Sequence, residues 1–415
     1  MSNERMKWHA LMRRAVPGFA AAALALASAL GSSFSSTAFA GELPFYEARP
    51  AQIQGMSGSL IRTQPMADAP PGTRAWRILY RSTDPQGKPI AVSGVVIAPE
   101  GKPPEGGRPI VAWAHPTSGV VPQCAPSLAH QFFRSVQGLR AMLDLGDVVV
   151  ATDYPGLGTP GPHPYLIGDS EGRAVLDSVR AAHTLPGAGA GTRYAIWGHS
   201  QGGHAALFAA RMAAGYAPEL RLEGIAVAAP ATDLETLMRA DADSSGGRNL
   251  TAMTMWSWSR VFGLPIAPLV EPQAMAAVDA LSNECIESWF DMIVRSVSQR
   301  GLEHGFLKVP DITRVEPWQE ILHRNIPGPI PPAVPLFIAQ GDSDALVEPA
   351  VTRAYAAAQC RQGSAVELSI YPGVGHGFIG RDAAPQAVQW IADRFAGRPA
   401  PDGCAQIQER ISEKR

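Results

Sequence analysis

Residues 198–202, Gly-His-Ser-Gln-Gly, constrain this chain more than any other stretch. The β-prone run Tyr194-Ala195-Ile196-Trp197 ends at Gly198, and an Ala/Leu-rich helical run begins just after Gly203. A strand, a tight turn on a serine and a helix together make a nucleophile elbow. The backbone at such a serine is strained, so its flanking residues must be small, and glycines let strand and helix cross closely. The helix then points its free N–H groups toward any oxyanion forming at Ser200. A second G-x-S-x-G, Gly168 to Gly172, follows a Pro/Gly-rich loop instead of a strand. Glycine is about one residue in ten, so one chance match is unsurprising. Its Asp169 or Ser170 reads as the N-cap of an amphipathic helix over Arg173 to His183, which leaves Ser200 as the nucleophile.

Around the elbow, short apolar runs alternate with helical patterns. Trp76 to Arg81 and Ile90 to Ala98 read as two antiparallel strands split by the turn Asp84-Pro85-Gln86-Gly87. Ile110 to Ala114, Val148 to Thr152, Gly224 to Ala229, Val334 to Ala339 and Val366 to Tyr371 read as buried strands. Alternation of this kind predicts βαβ units, an α/β fold with a mostly parallel central sheet and helices on both faces. Residues 41–72 are rich in Pro and Gly and read as irregular surface chain. Residues 232–332 lack strand patterns, carry Trp256, Trp258, Trp289 and Trp318, and close with a Pro-rich stretch. They are expected to form a helical cap (lid) inserted between a first core part, 41–231, and a second, 333–415. The apolar segment Met253 to Ile266 reads as ordinary cap core, with an exposed lipid-facing patch as the alternative.

An acyl-transfer serine needs a histidine base, a carboxylate that orients it, and donors for the oxyanion. On an α/β-hydrolase these follow in the order serine, acid, histidine. Gln340 to Val347 lies directly after a buried strand and supplies the acid; Asp344 is favoured over Asp342, with Asp233 a weaker third. Only His376 follows the acid, and glycines on both sides let its loop carry the ring to the serine. The oxyanion donors are the N–H groups of Gln201 and Thr117, since Pro116 has none. His115 reads as a prop for that loop.

Bulk properties bound the rest. A hydrophobic content of 46% over 415 residues supports a large core, and a net charge of −2 gives no electrostatic case for nucleic acid or an anionic surface. Lys7, Arg13 and Arg14, then the apolar run Ala20 to Leu30, then Ala38-Phe39-Ala40 read as a signal peptide over residues 1–40, with Gly41 first in the mature chain. That apolar run is shorter than the roughly 20 residues a span requires. The mature chain therefore reads as secreted or periplasmic, with no transmembrane segment. In an oxidising compartment Cys124, Cys285, Cys360 and Cys404 are expected to form two disulfides, with three connectivities open. Their wide spacing argues against a zinc or redox role.

The chain resembles the secretory lipase family of the α/β-hydrolase superfamily, the lipase A-type group. The resemblance rests on Ala114-His115-Pro116-Thr117, Asp153 to Gly158, Glu171 to Asp177, Gly198 to Gly203, Gly341 to Val347 and Gly375-His376-Gly377. It implies hydrolysis of triacylglycerols or other carboxylic esters, no cofactor, a small-molecule ester or lipid substrate, and a lid over the acyl site. It also implies the pairs Cys124–Cys285 and Cys360–Cys404. The alternatives are a serine acyltransferase or peptidase on the same fold, or a catalytically silent binding protein. A complete triad in the right order argues against silence.

Overall fold

The computed structural model describes residues 44–287, 298–303 and 305–412. The signal peptide reading over 1–40 and Trp289 lie outside the described residues. Nine strands form one sheet: β1 (Leu60–Met66), β2 (Thr73–Thr83), β3 (Pro89–Pro99), β4 (Arg108–Ala114), β5 (Val148–Thr152), β6 (Ala190–His199), β7 (Arg221–Ala228), β8 (Leu336–Gly341) and β9 (Val366–Tyr371). Their spatial order is β1-β2-β3-β5-β4-β6-β7-β8-β9. The first three pair antiparallel, β3 pairs antiparallel with β5, and every pair from β5 to β9 is parallel. The mostly parallel sheet with helices packed around it is thus present.

The central strands are apolar because both of their faces are covered. Every residue of β5 is buried, as is Tyr194 to His199 of β6. Each such large aliphatic or aromatic side chain contributes about 2 kcal/mol through burial. In register, Ala114 of β4 lies beside Gly198 of β6, and His199 beside Ala228 of β7. The carboxyl ends of β4, β6, β7 and β8 therefore share one edge of the sheet, where open α/β sheets hold their ligands.

Two expectations are corrected. Residues 41–72 are not wholly irregular, since Leu60–Met66 forms edge strand β1 and Pro50–Ile53 a helical turn. The helix expected from Arg173 begins at Gly168 and runs to Thr184, with Ile167 at its N-cap and no side-chain cap. Asp169 and Ser170 are inside its first turn, so neither is the cap. Gly168 and Gly172 are seats for the elbow helix Gln201–Tyr216: a Cβ on Gly168 would lie 2.2 Å from Phe208, and one on Gly172 would lie 2.8 Å from the Ala209 nitrogen.

Between β7 and β8 the described residues form chiefly helices, Leu234–Ala240, Ser245–Phe262, Met275–Ser282 and Trp318–Arg324 among them, with one isolated antiparallel bridge between Val270 and Leu307. Met253, Met255, Trp256 and Trp258 are buried, so this apolar run is core and not an exposed patch. Trp258 donates to the Tyr165 carbonyl at 2.8 Å and stacks on Trp318 with ring centres 6.0 Å apart. No helix among the described residues is long and apolar enough to cross a membrane.

Candidate active site

Ser200 is the N-cap of the elbow helix with φ 56° and ψ −118°, a conformation a non-glycine residue adopts only when its surroundings force it. Those surroundings are close. The Ser200 N–H donates to the Ala228 carbonyl at 2.9 Å. A Cβ on Gly198 would lie 2.2 Å from the Gly202 carbonyl oxygen, and one on Gly202 would lie 1.9 Å from that of Ala114. Only glycine fits at either place, and the crossing brings the loop after β4 directly over the start of the elbow helix.

His376 opens the helix His376–Phe395, after the turn that follows β9. Its Nε2 lies 2.9 Å from Ser200 Oγ, and its Nδ1 lies 2.8 Å from Asp344 Oδ2. With Nδ1–H donating to the carboxylate, Nε2 is left to accept the serine proton. Asp344 Oδ1 accepts from the N–H groups of Leu346 at 2.9 Å and Val347 at 2.8 Å. Burial alone would raise this carboxyl; the hydrogen bond and charge of His376, with those two N–H groups, outweigh it and hold the carboxyl below its ordinary range.

The other two acids face elsewhere. Asp342 is exposed and accepts from the Gly373 N–H at 2.6 Å, which pins the turn before His376. Asp233 caps the helix Leu234–Ala240, accepting from the Thr236 N–H at 3.0 Å.

His199, next to the serine in sequence, supports His376 from behind. Its Nε2–H donates to the His376 carbonyl at 3.1 Å, and its Nδ1 accepts from Gln137 Nε2 at 3.3 Å. Burial, reinforced by the neighbouring His376, pushes His199 down to about 3, so it stays a neutral strut.

Gln201 follows Ser200, and its side chain is locked into a buried network. Its Nε2 donates to Glu171 Oε1 at 2.7 Å and to His163 Nε2 at 2.9 Å. His163 Nδ1 in turn donates to the Pro155 carbonyl at 2.8 Å. Glu171 also accepts from the Leu166 N–H at 2.9 Å and from His204 Nδ1 at 3.0 Å, while His204 Nε2 reaches the Asn325 carbonyl at 2.8 Å. Glu171, His163 and His204 are fully buried. Sequence reading did not single out this network. Glu171 sits within the second G-x-S-x-G, and the only available signal was His204, one helical turn beyond Ser200 on the same helix face.

Thr117 Oγ1 lies 2.9 Å from the Tyr165 hydroxyl. Thr117 borders a cavity with Cys124 and Ile286, whereas Gln201 shares a cavity with Ser200 itself. His115 Nδ1 lies 2.7 Å from the Pro116 carbonyl and Nε2 3.4 Å from that of Asp153, and burial lowers it to about 4. Asp153 accepts from Ser93 Oγ at 2.6 Å and from the Ser127 N–H at 2.9 Å, which clasps the loop after β4 to the end of β5.

The cavity at Ser200 is small, about 50 Å³. Its wall combines Tyr165 and Leu346 with Leu234, Leu237, Asp241 and Leu250 from the helical stretch between β7 and β8. Two disulfides join Cys124 to Cys285 and Cys360 to Cys404, the pairing the resemblance implied. Among the described residues no three His, Cys, Asp or Glu side chains are grouped as metal ligands.

A mostly parallel sheet with an elbow serine at its carboxyl edge defines an α/β-hydrolase of the lipase and esterase kind. A family model for secretory lipases matches residues 135–403, and the chain belongs to that family. Lipase 9 of Candida albicans is 26% identical across 80% of this chain and 76% of its own length. A probable inactive lipase of Mycobacterium tuberculosis is also 26% identical, over 86% of this chain and 83% of its own. Among solved structures, Candida antarctica lipase A superposes with a TM-score of 0.72 at 19% identity, covering 87% of each chain. The rice cell wall degrading esterase LipA from Xanthomonas oryzae superposes with a TM-score of 0.66 at 20% identity, covering 83% of this chain and 99% of its own. These two structures attest the fold.

Proposed function

We propose that this chain is an exported serine hydrolase that cleaves carboxylic esters through a Ser200-His376-Asp344 triad. The observation that carries this reading is the continuous relay from serine to histidine to carboxylate, with contacts of 2.9 and 2.8 Å. Ser200 Oγ attacks the ester carbonyl as His376 Nε2 takes its proton, and Asp344 stays ionised and holds the imidazolium. The same proton passes to the leaving alcohol. Water, activated by His376, then releases the acid from the acyl-enzyme. The Gln201 N–H, first in its helix and therefore without a partner inside it, is the first oxyanion donor. Thr117 on the loop over Gly202 supplies the second.

Residues 232–332 act as the cap on a core made of 41–231 and 333–415. This division is supported by Leu234, Leu237 and Leu250 sharing the cavity wall with Ser200. Residues 1–40 direct export, a reading in keeping with two disulfides and no free cysteine among the described residues. The relative named as inactive makes a silent member the reading to beat. A fluorophosphonate probe should label Ser200, and Ser200→Ala should lose roughly 10⁴-fold or more in turnover of nitrophenyl esters. No labelling, or labelling at Ser170, would overturn the assignment.

A further inference from the structure

The wall of the Ser200 cavity is mostly apolar, with Tyr165, Ser200, Gln201, Thr251 and Thr254 as its neutral polar side chains and Asp241 as its one charged side chain. Asp241 ends the helix Leu234–Ala240 and is 6% exposed, and it borders the cavity that holds Ser200. Its backbone is fixed on both sides: its N–H donates to the Leu237 carbonyl at 3.0 Å, and its own carbonyl accepts from Ser244 at 2.9 Å. Gly247 packs so tightly here that a Cβ on it would lie 2.2 Å from the Asp241 carbonyl oxygen. The backbone that carries the carboxyl is therefore held in place. Yet among the described residues no hydrogen bond or ion pair engages it.

A carboxyl set in a mostly apolar wall with no protein donor depends on water for its hydrogen bonds. Burial raises it to about 6, helped by the charges of Glu348 and Asp344 and opposed by His376. At neutral pH it is an acceptor facing a small, mostly apolar space. A purely hydrocarbon group entering that space strips the carboxylate of water and returns nothing. A group that carries a hydroxyl returns a hydrogen bond, and to a charged acceptor such bonds are the strong ones.

We infer that Asp241 selects substrate at the Ser200 cavity by accepting a hydrogen bond from a hydroxyl on the part of the ester that fills it, so that short hydroxylated esters are preferred over plain ones. This rests on the ester-hydrolase reading above. Discrimination is strong in such a site because the analogue lacking the hydroxyl leaves a buried acceptor unpaired.

The test compares two matched pairs of esters on the purified full chain. One pair is the p-nitrophenyl ester of butanoate against that of 3-hydroxybutanoate; the other is the butyl against the 4-hydroxybutyl ester of acetate. In the native protein the hydroxylated member of at least one pair should show a kcat/KM roughly tenfold or more above its partner. Asp241→Leu should abolish that preference and raise turnover of the plain ester. Asp241→Asn, which keeps the shape and an acceptor oxygen, should leave a reduced preference. Fluorophosphonate labelling of Ser200 in each variant confirms that the site is assembled. The inference is overturned if neither pair shows a preference in the native protein, or if the preference survives Asp241→Leu in labelled protein. Absence of all ester turnover together with absent labelling overturns the hydrolase reading, and this inference with it.

Discussion

Asp342 and Asp344 are two residues apart on one loop, yet their surroundings give them opposite work. Asp344 is buried against His376 and receives two backbone N–H groups, so its charge is held beside the His376 ring. Asp342 is exposed and receives the Gly373 N–H, which shapes the turn carrying His376. Position after the strand favours Asp344 without excluding Asp342, because which side chain turns inward depends on the loop's path and not on residue type. Asp344→Asn should leave the fold intact and lower kcat by about 10⁴-fold, since an amide cannot favour the tautomer that donates from Nδ1 to it. Asp342→Asn should cost less than about tenfold. Steady-state kinetics on the two variants check this, and a larger loss at Asp342 would reverse the assignment.

At the scale of elements, the elbow is a crossing of backbones and not only a serine on a turn. Gly202 meets the Ala114 carbonyl where a methyl group would stand 1.9 Å away, so Gly202→Ala must push apart the end of β4 and the start of the elbow helix. Both elements are buried, and the expected cost is about 3 kcal/mol or more, with activity lost in whatever protein remains folded. Thermal unfolding and probe labelling would measure it; a variant with native stability would show that the crossing is looser than described. The same elements show what was legible beforehand. The runs Ile110 to Ala114 and Val148 to Thr152 are continuous apolar strands and were readable as such. Leu60–Met66 was not, because it lies at the sheet edge, half of it faces solvent, and it carries Arg62, Gln64 and Pro65. The second G-x-S-x-G was readable only as a lesser match. Its glycines serve close packing on Phe208 and Ala209, and its Glu171 serves His204, and all three partners lie more than thirty residues away. Long-range pairing of this kind leaves no local period in a sequence.

Over the whole molecule, two covalent ties close loops of different reach. Cys124–Cys285 spans 161 residues and joins the loop after β4 to the chain that follows the helix Met275–Ser282. It is backed there by the Ile286 N–H donating to the Ser118 carbonyl at 2.8 Å. Cys360–Cys404 spans 44 residues and joins the end of the helix Pro349–Arg361 to the start of the helix Cys404–Ser412. Chain entropy assigns about 5 kcal/mol to the first closure and about 4 to the second, so the two are nearly equal in their effect on the unfolded state. They differ in what they hold when folded. Thr117 lies seven residues before Cys124 on the same loop, whereas the second pair stands away from Ser200, Asp344 and His376. Replacing Cys360 and Cys404 together by serine should lower the melting temperature by several degrees while kcat/KM below that temperature stays near native. Replacing Cys124 and Cys285 together should lower the melting temperature by at least as much and also reduce kcat/KM, because the loop that carries Thr117 loses its tie to the chain after the helix Met275–Ser282. Calorimetry paired with ester turnover at 25 °C separates the two effects. Full activity without Cys124–Cys285, set against lost activity without Cys360–Cys404, would show that the loop is held by its hydrogen bonds and not by the disulfide.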